Sequence, residues 1–344
     1  MGGTILRVKR PTSFDIAELA GVSQSTVSRA LSGAGVVSEE TRLKVAEAAR
    51  QLNYKIDANA RNLRLQTAKT IALLLYEDPV TSGSLINPFF LSMLSSTIKA
   101  AGRRGYDLVI SFQDETNDND AYVGSHRADG IIFFGYGDYV RYVERVARLD
   151  EARIPSVTWG PVNAGARGHF IGSDNVTGAR EGVAHLIERG RKRIAFLGHH
   201  SEHTPELLDR YRGYERALTE AGLQVIPGLQ REAEISEEAG QREIQALLDG
   251  GVPFDAVFAA CDLIAIGAMR GLRQRGLSIP GDVAVMGFDD IITATFTDPP
   301  LTTVRQNTEE AGELMVETLL ALIDGEDVAS KMIPTKLMVR GSCG

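Results

Sequence analysis

Residues 15–31 read Asp15-Ile16-Ala17-Glu18-Leu19-Ala20-Gly21-Val22-Ser23-Gln24-Ser25-Thr26-Val27-Ser28-Arg29-Ala30-Leu31. Two short amphipathic helices are legible here, parted by Gly21. The first carries apolar residues at Ile16, Ala17, Leu19 and Ala20, and Thr12 or Ser13 ahead of it offers a side-chain oxygen as N-cap. Val22 is an apolar pivot and Ser23 an N-cap for the second helix. There Val27, Ala30 and Leu31 fall at i, i+3 and i+4 on one face, leaving Gln24, Ser25, Ser28 and Arg29 on the other. Beyond Gly33 and Gly35, Ser38 with Glu39, Glu40 and Thr41 opens a third helix whose stripe is Val45, Ala48, Ala49 and Leu52. Helix, glycine-containing turn, helix has two readings. The second helix can enter a DNA major groove, where Gln pairs with adenine, Arg with guanine, and Ser or Thr with phosphates or base edges. It can equally be a structural pair with a solvated polar face, and spacing alone does not separate the two.

The charge distribution bears on that choice. The 344 residues carry a net charge of −8, yet residues 1–69 hold 11 Lys/Arg against 6 Asp/Glu, and the rest hold 26 against 39. A basic head on an acidic body is what results when only the head meets phosphate. A hydrophobic fraction of 43% with 24% charged residues belongs to a folded chain of two or three compact units. No apolar run reaches the ~18 residues a membrane span needs. The first ten residues lack the apolar stretch of a secretory signal, and Cys261 and Cys343 are too few and too far apart for a disulfide framework. A cytoplasmic protein with no membrane partner is expected.

The run from Asp15 to Leu31 closely resembles the DNA-binding signature of the lac repressor family. Val37-Ser38-Glu39-Glu40-Thr41-Arg42 and Leu52-Asn53-Tyr54 continue the match without a gap. The resemblance implies that Gln24, Ser25 and Arg29 read base edges. It implies that Thr12, Ser23, Thr26, Ser28, Ser38, Thr41 and Tyr54 mainly hold the DNA backbone, with Val22, Val27 and Leu31 as mini-core. Residues 57–65 are rich in helix formers but too short to be stable alone. They read as a solvated linker until compared with the family's hinge helix, which forms when two copies meet in the minor groove. On that likeness Ala60 packs on its symmetry mate, Leu63 wedges into the central base step, and Asn59, Arg61 and Arg64 lie near phosphates.

Beyond residue 70, short apolar runs alternate with helical stretches. Strands are expected at 71–76, 108–112, 130–134, 156–159, 194–197, 256–259, 283–287 and 336–339. Helices are expected at 90–102, 139–149, 177–188, 209–221, 237–248, 263–273 and 309–323. Strands without polar alternation are buried on both faces, as in a doubly wound α/β fold. No Gly-rich phosphate loop, Walker lysine or nucleophile elbow is present, and no acid–base pair stands out, so an enzyme is not expected and no cofactor is called for. His199, His200 and His203 fit no common metal spacing. They read as a loop at the end of the 194–197 strand, on the side where such folds bind ligands.

The resemblance extends through this body. Asn87-Pro88-Phe89-Phe90, Gly172-Ser173-Asp174-Asn175, Gly190-Arg191-Lys192-Arg193-Ile194-Ala195-Phe196-Leu197-Gly198, Arg210-Tyr211-Arg212-Gly213-Tyr214, Gly287-Phe288-Asp289-Asp290 and Pro299-Pro300-Leu301-Thr302-Thr303-Val304 all carry it. It implies a body like the periplasmic sugar-binding proteins, with two lobes closing on a small effector. The division expected is a head at 1–56, a hinge at 57–69 and an effector domain at 70–344. Lobe one would be about 70–160 with 302–324, and lobe two about 161–301 with 325–344. Arg210 and Asp289 fall where the family clamps its effector, a pairing that can share a polyol's hydroxyls. Phe89, Phe90 and Trp159 offer flat apolar surface for a sugar's C–H face, or for a purine.

The bland readings are that Phe89 and Phe90 are core, that Arg210 and Asp289 are a salt bridge or cap, and that Asp262 is an N-cap. Three departures from the family bear on the effector. Cys261, an effector-binding candidate at the border of the cleft, and Gly160 stand where family members often carry polar side chains, and the stretch 113–129 is short enough to reduce or remove a helix. With no heptad tail in view, a homodimer on a pseudo-palindromic operator is expected. The function expected is a repressor of carbohydrate-utilisation genes controlled by a sugar-like effector, with a transport receptor or sugar-processing enzyme as rivals.

Overall fold

The computed structural model describes residues 11–32, 37–54, 67–76, 87–113, 121–163 and 167–344. Internal contacts divide the chain into two compact units, Met1–Gln66 and Thr67–Gly344. The expected hinge residues Asn59, Ala60, Arg61, Leu63 and Arg64 lie outside the described residues, as do Gly33 and Gly35.

Among the described residues, the first unit contains three helices, α1 (Ser13–Ala20), α2 (Gln24–Ser32) and α3 (Glu39–Gln51). Thr12 caps α1 reciprocally. Its hydroxyl accepts the Asp15 N–H, and the Asp15 carboxylate accepts the Thr12 N–H at 2.6 Å. Gly21 ends α1 with φ +66°, a left-handed conformation that a side chain would strain. Ser23 and Ser38 take the Thr26 and Thr41 N–H groups at the starts of α2 and α3. Ile16, Val27, Ala30, Val45 and Ala48 form a small core, with Val22, Leu31, Leu52 and Tyr54 packed around it. Leu19, read as part of the apolar stripe, is instead 50% exposed on the flank of α1 left to solvent.

Among the described residues, the second unit holds two six-stranded sheets. In chain order its elements are β1 (Thr70–Tyr76), α4 (Pro88–Arg103), β2 (Asp107–Gln113), α5 (Ala121–Gly124), β3 (Gly130–Phe134), α6 (Tyr139–Glu151), β4 (Ser156–Trp159) and β5 (His169–Ser173). There follow α7 (Asn175–Glu188), β6 (Ile194–Leu197), α8 (Pro205–Glu220), β7 (Gln230–Arg231), α9 (Glu237–Asp249), β8 (Ala256–Ala259), α10 (Asp262–Gln274) and β9 (Ala284–Asp289). A 3-10 turn (Ile292–Thr295), β10 (Thr302–Arg305), α11 (Thr308–Ile323), β11 (Lys331–Ile333) and β12 (Lys336–Met338) complete the unit. One sheet has the order β11-β5-β4-β3-β1-β2 and the other β12-β10-β9-β8-β6-β7. All pairings are parallel except β10 with β12.

The sequence of β1 shows why both faces are covered. Ile71, Leu73 and Leu75 join a buried cluster with Phe89 and Met93 of α4 and Met315 of α11. Ala72 and Leu74 face the other way, onto Tyr142, Val146 and Leu149 of α6. A strand apolar at every position must be sandwiched by helices, each buried aliphatic side chain contributing roughly 1.5–3 kcal/mol. The helices pack closely in turn. A Cβ on Gly240 of α9 would lie 2.1 Å from the Ile264 carbonyl oxygen of α10, and one on Gly267 2.0 Å from that of Glu237. The helix expected to be reduced is α5, of four residues.

The lobe borders expected from sequence need correction. The sequence puts residues 169–173 in lobe two, but β5 pairs in parallel with β4 of lobe one, Val157 opposite His169. It puts residues 302–305 in lobe one, but β10 pairs with β9 of lobe two, Thr302 opposite Met286. Residues 331–333 return to lobe one against β5 before β12 goes back to lobe two. Strands of three to five residues carry too little periodicity to say which of two similar sheets they join. The chain therefore crosses between lobes three times, after Ser173, Arg305 and Ile333. Among the described residues, no helix is long and apolar enough to cross a membrane.

Candidate functional site

Two surfaces carry chemistry, one in each unit. In the head, Ser25 and Arg29 are exposed on α2, while Gln24, Thr26 and Ser28 are half-buried. The hydroxyls of Ser23, Ser25 and Thr26 form a linked set, with Ser23 Oγ 2.9 Å from Ser25 Oγ and 2.8 Å from Thr26 Oγ1. They gather at the N-terminus of a helix, where the dipole and open N–H groups favour an anion such as a DNA phosphate. Ser38 and Thr41 pair in the same way at the start of α3, 2.8 Å apart. The Gln24 amide donates to Ser13 Oγ at 3.2 Å and so ties α2 to α1. Thr12 is engaged in its capping box and Tyr54 leans on the head core, so these two have structural work beside any contact with DNA.

The second surface lies where the parallel strands of both lobes end, the side on which such sheets bind ligands. Arg210 on α8 and Asp289 at the end of β9 meet there, Nη1 to Oδ1 3.2 Å, both side chains almost fully buried. Arg210 Nε donates to Asn175 Oδ1 at 2.9 Å, Nη1 donates to the Ala260 carbonyl at 2.5 Å, and the guanidinium lies 3.9 Å over the Phe288 ring. Gln306 Nε2 donates to Asp289 Oδ1 at 2.6 Å. None of these bonds uses Arg210 Nη2 or Asp289 Oδ2, which leaves a donor and an acceptor for neighbouring hydroxyls. Burial pushes the Asp289 carboxyl up to about 6, against the downward pull of Arg210 and Gln306.

The backbone at Asp289 has φ +114° and at Asp290 φ +57°, conformations L residues avoid. Asp290 is anchored by Arg305 and Arg340. Asp262, read as an N-cap, stands instead one residue inside α10, behind Cys261. Its carboxylate accepts the Ile291 N–H at 2.9 Å and the Thr303 hydroxyl at 2.6 Å. Cys261 is buried beside the Arg210–Asp289 pair, and burial raises its thiol's pKa well above the usual range, so it stays a neutral thiol.

In lobe one, Phe89 and Trp159 are each 5% exposed with ring centroids 5.8 Å apart, so both are largely core. Phe90 is half-buried and stacks on Phe134 at 5.8 Å, leaving it the more open ring. Asn175 and Gln306 were not singled out from sequence as site residues. They come two residues and one residue after the strands β5 and β10, which periodicity did not reveal. Tyr136 and Glu206 were also missed. The Tyr136 hydroxyl donates to the Glu206 carboxylate across the cleft. Glu206 precedes Arg210 by four residues, a spacing that puts both on one helix face.

The three histidines are apart in role: His199 lies 3.6 Å from Glu232, His200 packs on the Tyr211 ring at 4.7 Å, and His203 meets Asp138 at 3.0 Å. Among the described residues, no group of three or more His, Cys, Asp and Glu side chains is arranged to hold a metal ion. A surface groove of about 590 Å³ between α4 and α11 shares no residue with the Arg210–Asp289 cluster.

Comparison with known proteins covers nearly the whole chain. Residues 14–57 match the description "Bacterial regulatory proteins, lacI family", and residues 183–343 match "Periplasmic binding protein-like domain". The HTH-type transcriptional regulator CelR of Thermobifida fusca is 32% identical over 343 residues, covering 98% of this chain and 99% of CelR. A solved CelR–cellobiose complex superposes with a TM-score of 0.72 at 31% identity, over 97% of this chain and all of that one. The lac repressor dimer bound to operator and the anti-inducer ONPF gives 0.83 at 27% identity, over 97% and 99% of the two chains.

Proposed function

Because this chain belongs to the lacI family of bacterial regulatory proteins, we propose that it represses carbohydrate-utilisation genes and that a sugar held at Arg210 and Asp289 sets its grip on operator DNA. It is a DNA-binding transcription regulator and not an enzyme. It acts in the cytoplasm, as a homodimer on a pseudo-palindromic operator. The observation that carries the sugar reading is the Arg210–Asp289 pair with Asn175 and Gln306 around it. A guanidinium, a carboxylate and two amides offer charge-assisted and neutral hydrogen bonds to adjacent hydroxyls. Phe90, with Phe89 and Trp159 behind it, gives the ring's C–H face an apolar wall. The CelR–cellobiose complex is a relative with a sugar bound, which favours the same class here.

On the DNA side, Gln24, Ser25 and Arg29 read bases, and Ser23, Thr26, Ser28, Ser38, Thr41, Thr12 and Tyr54 hold the backbone, with Asn59, Ala60 and Leu63 at the minor groove. Effector binding shifts one lobe against the other and changes how two hinges pair. Effector and operator therefore alter each other's affinity by the same factor. Isothermal titration calorimetry of the full chain against cellobiose, D-ribose, other mono- and disaccharides and purines tests the effector class. Heat from one sugar that is lost in Asp289→Ala supports the reading. Heat from a purine alone moves the effector class and leaves the regulator intact.

A further inference from the structure

Among the described residues, three contacts join the lobes at a distance from the chain crossings. The Tyr136 hydroxyl, two residues beyond β3, donates to the Glu206 carboxylate in the first turn of α8. The Tyr139 N–H donates to the His203 carbonyl at 3.1 Å. His203 Nδ1 lies 3.0 Å from Asp138 Oδ2, while Asp138 Oδ1 caps α6 by accepting the Val140 and Arg141 N–H groups. Residues 136–139 of lobe one thus grip residues 203–206 of lobe two through a hydroxyl, a backbone amide and a carboxylate.

The sheet orders fix where this grip lies. The covalent crossings leave β5, β10 and β11, which are grouped at one side of each sheet. β3 is two strands beyond β5, and β6, whose loop carries His203, is three strands beyond β10. Between the crossings and the grip lie the ends of β4, β9 and β8, with Trp159, Asp289 and Cys261. The cleft residues are therefore fastened on one side by the chain itself and on the other by side chains.

The lobe-one half of the grip is stiff. Tyr136 stacks on Tyr142 at 5.3 Å, and the Tyr142 hydroxyl pairs with Thr158 at 2.8 Å, next to Trp159. Both partners of the central bond are partly withdrawn from water, and burial raises the pKa of the Tyr136 hydroxyl and of the Glu206 carboxyl. Breaking the bond in place leaves two polar groups short of a partner, so its rupture goes with separation of the lobes and entry of water.

We propose that residues 136–139 and 203–206 form a latch that holds the cleft shut without an effector, and that it must open before any effector enters or leaves. The latch does not depend on which small molecule the cleft takes.

Trp159 is the chain's one tryptophan and is 5% exposed behind the latch, so it reports opening directly. The experiment is acrylamide quenching of Trp159 fluorescence in the full-length protein, with no ligand added. Tyr136→Phe breaks the central bond from lobe one and Glu206→Ala breaks it from lobe two. Each should raise the quenching constant about threefold while circular dichroism stays unchanged. A rise in Tyr136→Phe alone would mean local loosening of lobe one and would overturn the latch, as would a rise in Glu206→Ala alone or in neither. Should one variant not fold, the other is read with His203→Ala, an exposed position, under the same rule.

Discussion

The Asp262 carboxylate accepts the Ile291 N–H at 2.9 Å, two residues past Asp289, so an acid buried in α10 holds the loop on which the cleft acid stands. Its other oxygen takes the Thr303 hydroxyl, and the room for it comes from Gly287, where a Cβ would lie 2.1 Å from Oδ1. This anchoring opposes the backbone strain at Asp289, of order 1–3 kcal/mol. Asp262→Ala would leave a buried N–H and a buried hydroxyl without partners, at about 1–3 kcal/mol each. A lower urea midpoint and at least a tenfold loss of effector affinity are expected. Unchanged affinity in a destabilised variant would limit Asp262 to folding.

The Asp289 carboxyl, pushed up to about 6 from an ordinary 3.8, titrates differently in the folded and unfolded chains. The native state holds the proton to higher pH, so this group's contribution to stability is present below about pH 4 and lost as pH rises through 6. The full loss is about 3 kcal/mol at most. Effector affinity runs the other way, since the ionised form is the better acceptor. Urea denaturation in steps from pH 4 to 7 should show wild type losing stability relative to Asp289→Asn, with calorimetric affinity falling between pH 7 and 5. A constant stability difference would show that burial does not govern this carboxyl.

Arg29 is exposed on the polar face of α2. Arg29→Ala should weaken binding to the cognate operator by roughly 1–3 kcal/mol while binding to random DNA changes far less. Fluorescence anisotropy on both DNAs separates these outcomes. Equal losses would make Arg29 a phosphate contact.

Ile16 is wholly buried in a head core that has, among the described residues, five buried side chains. Ile16→Ala removes about 2–5 kcal/mol, much of what so small a unit can have. Operator binding should vanish while the heat of effector binding stays at the wild-type value. Loss of both would show that the two units do not fold independently.

Most of this architecture was readable from periodicity. Runs such as Ile71 to Leu75 are apolar at every position, and helices such as α9 and α11 carry clear stripes between capping residues. The strands β5, β10 and β11 were not readable, because three to five residues cannot express a period and their identity lies in their partners. Two site residues went with them: Asn175 and Gln306 gain meaning only as the residues just after those strands. Arg210 and Asp289 were found by likeness to a family pattern. Glu206 was legible in principle, four residues before Arg210, but its partner Tyr136 comes from a different lobe. The polar role of Gln24 was visible, whereas its bond to Ser13 depends on how α1 and α2 cross.

The threefold crossing of the chain has a consequence during synthesis. Lobe one begins with β1, and its first five strands are complete by Ser173, yet its sheet lacks β11 until residue 333 has been made. At ribosomal speeds that interval lasts on the order of ten to thirty seconds. Throughout it the open edge of β5 is a strand without its neighbour, the kind of edge that recruits other chains. Lobe two waits in turn for β12, over the shorter stretch from Arg305 to Met338. The nascent protein therefore carries two unfinished sheets at once, and both are closed within a few residues of each other, by strands β11 and β12.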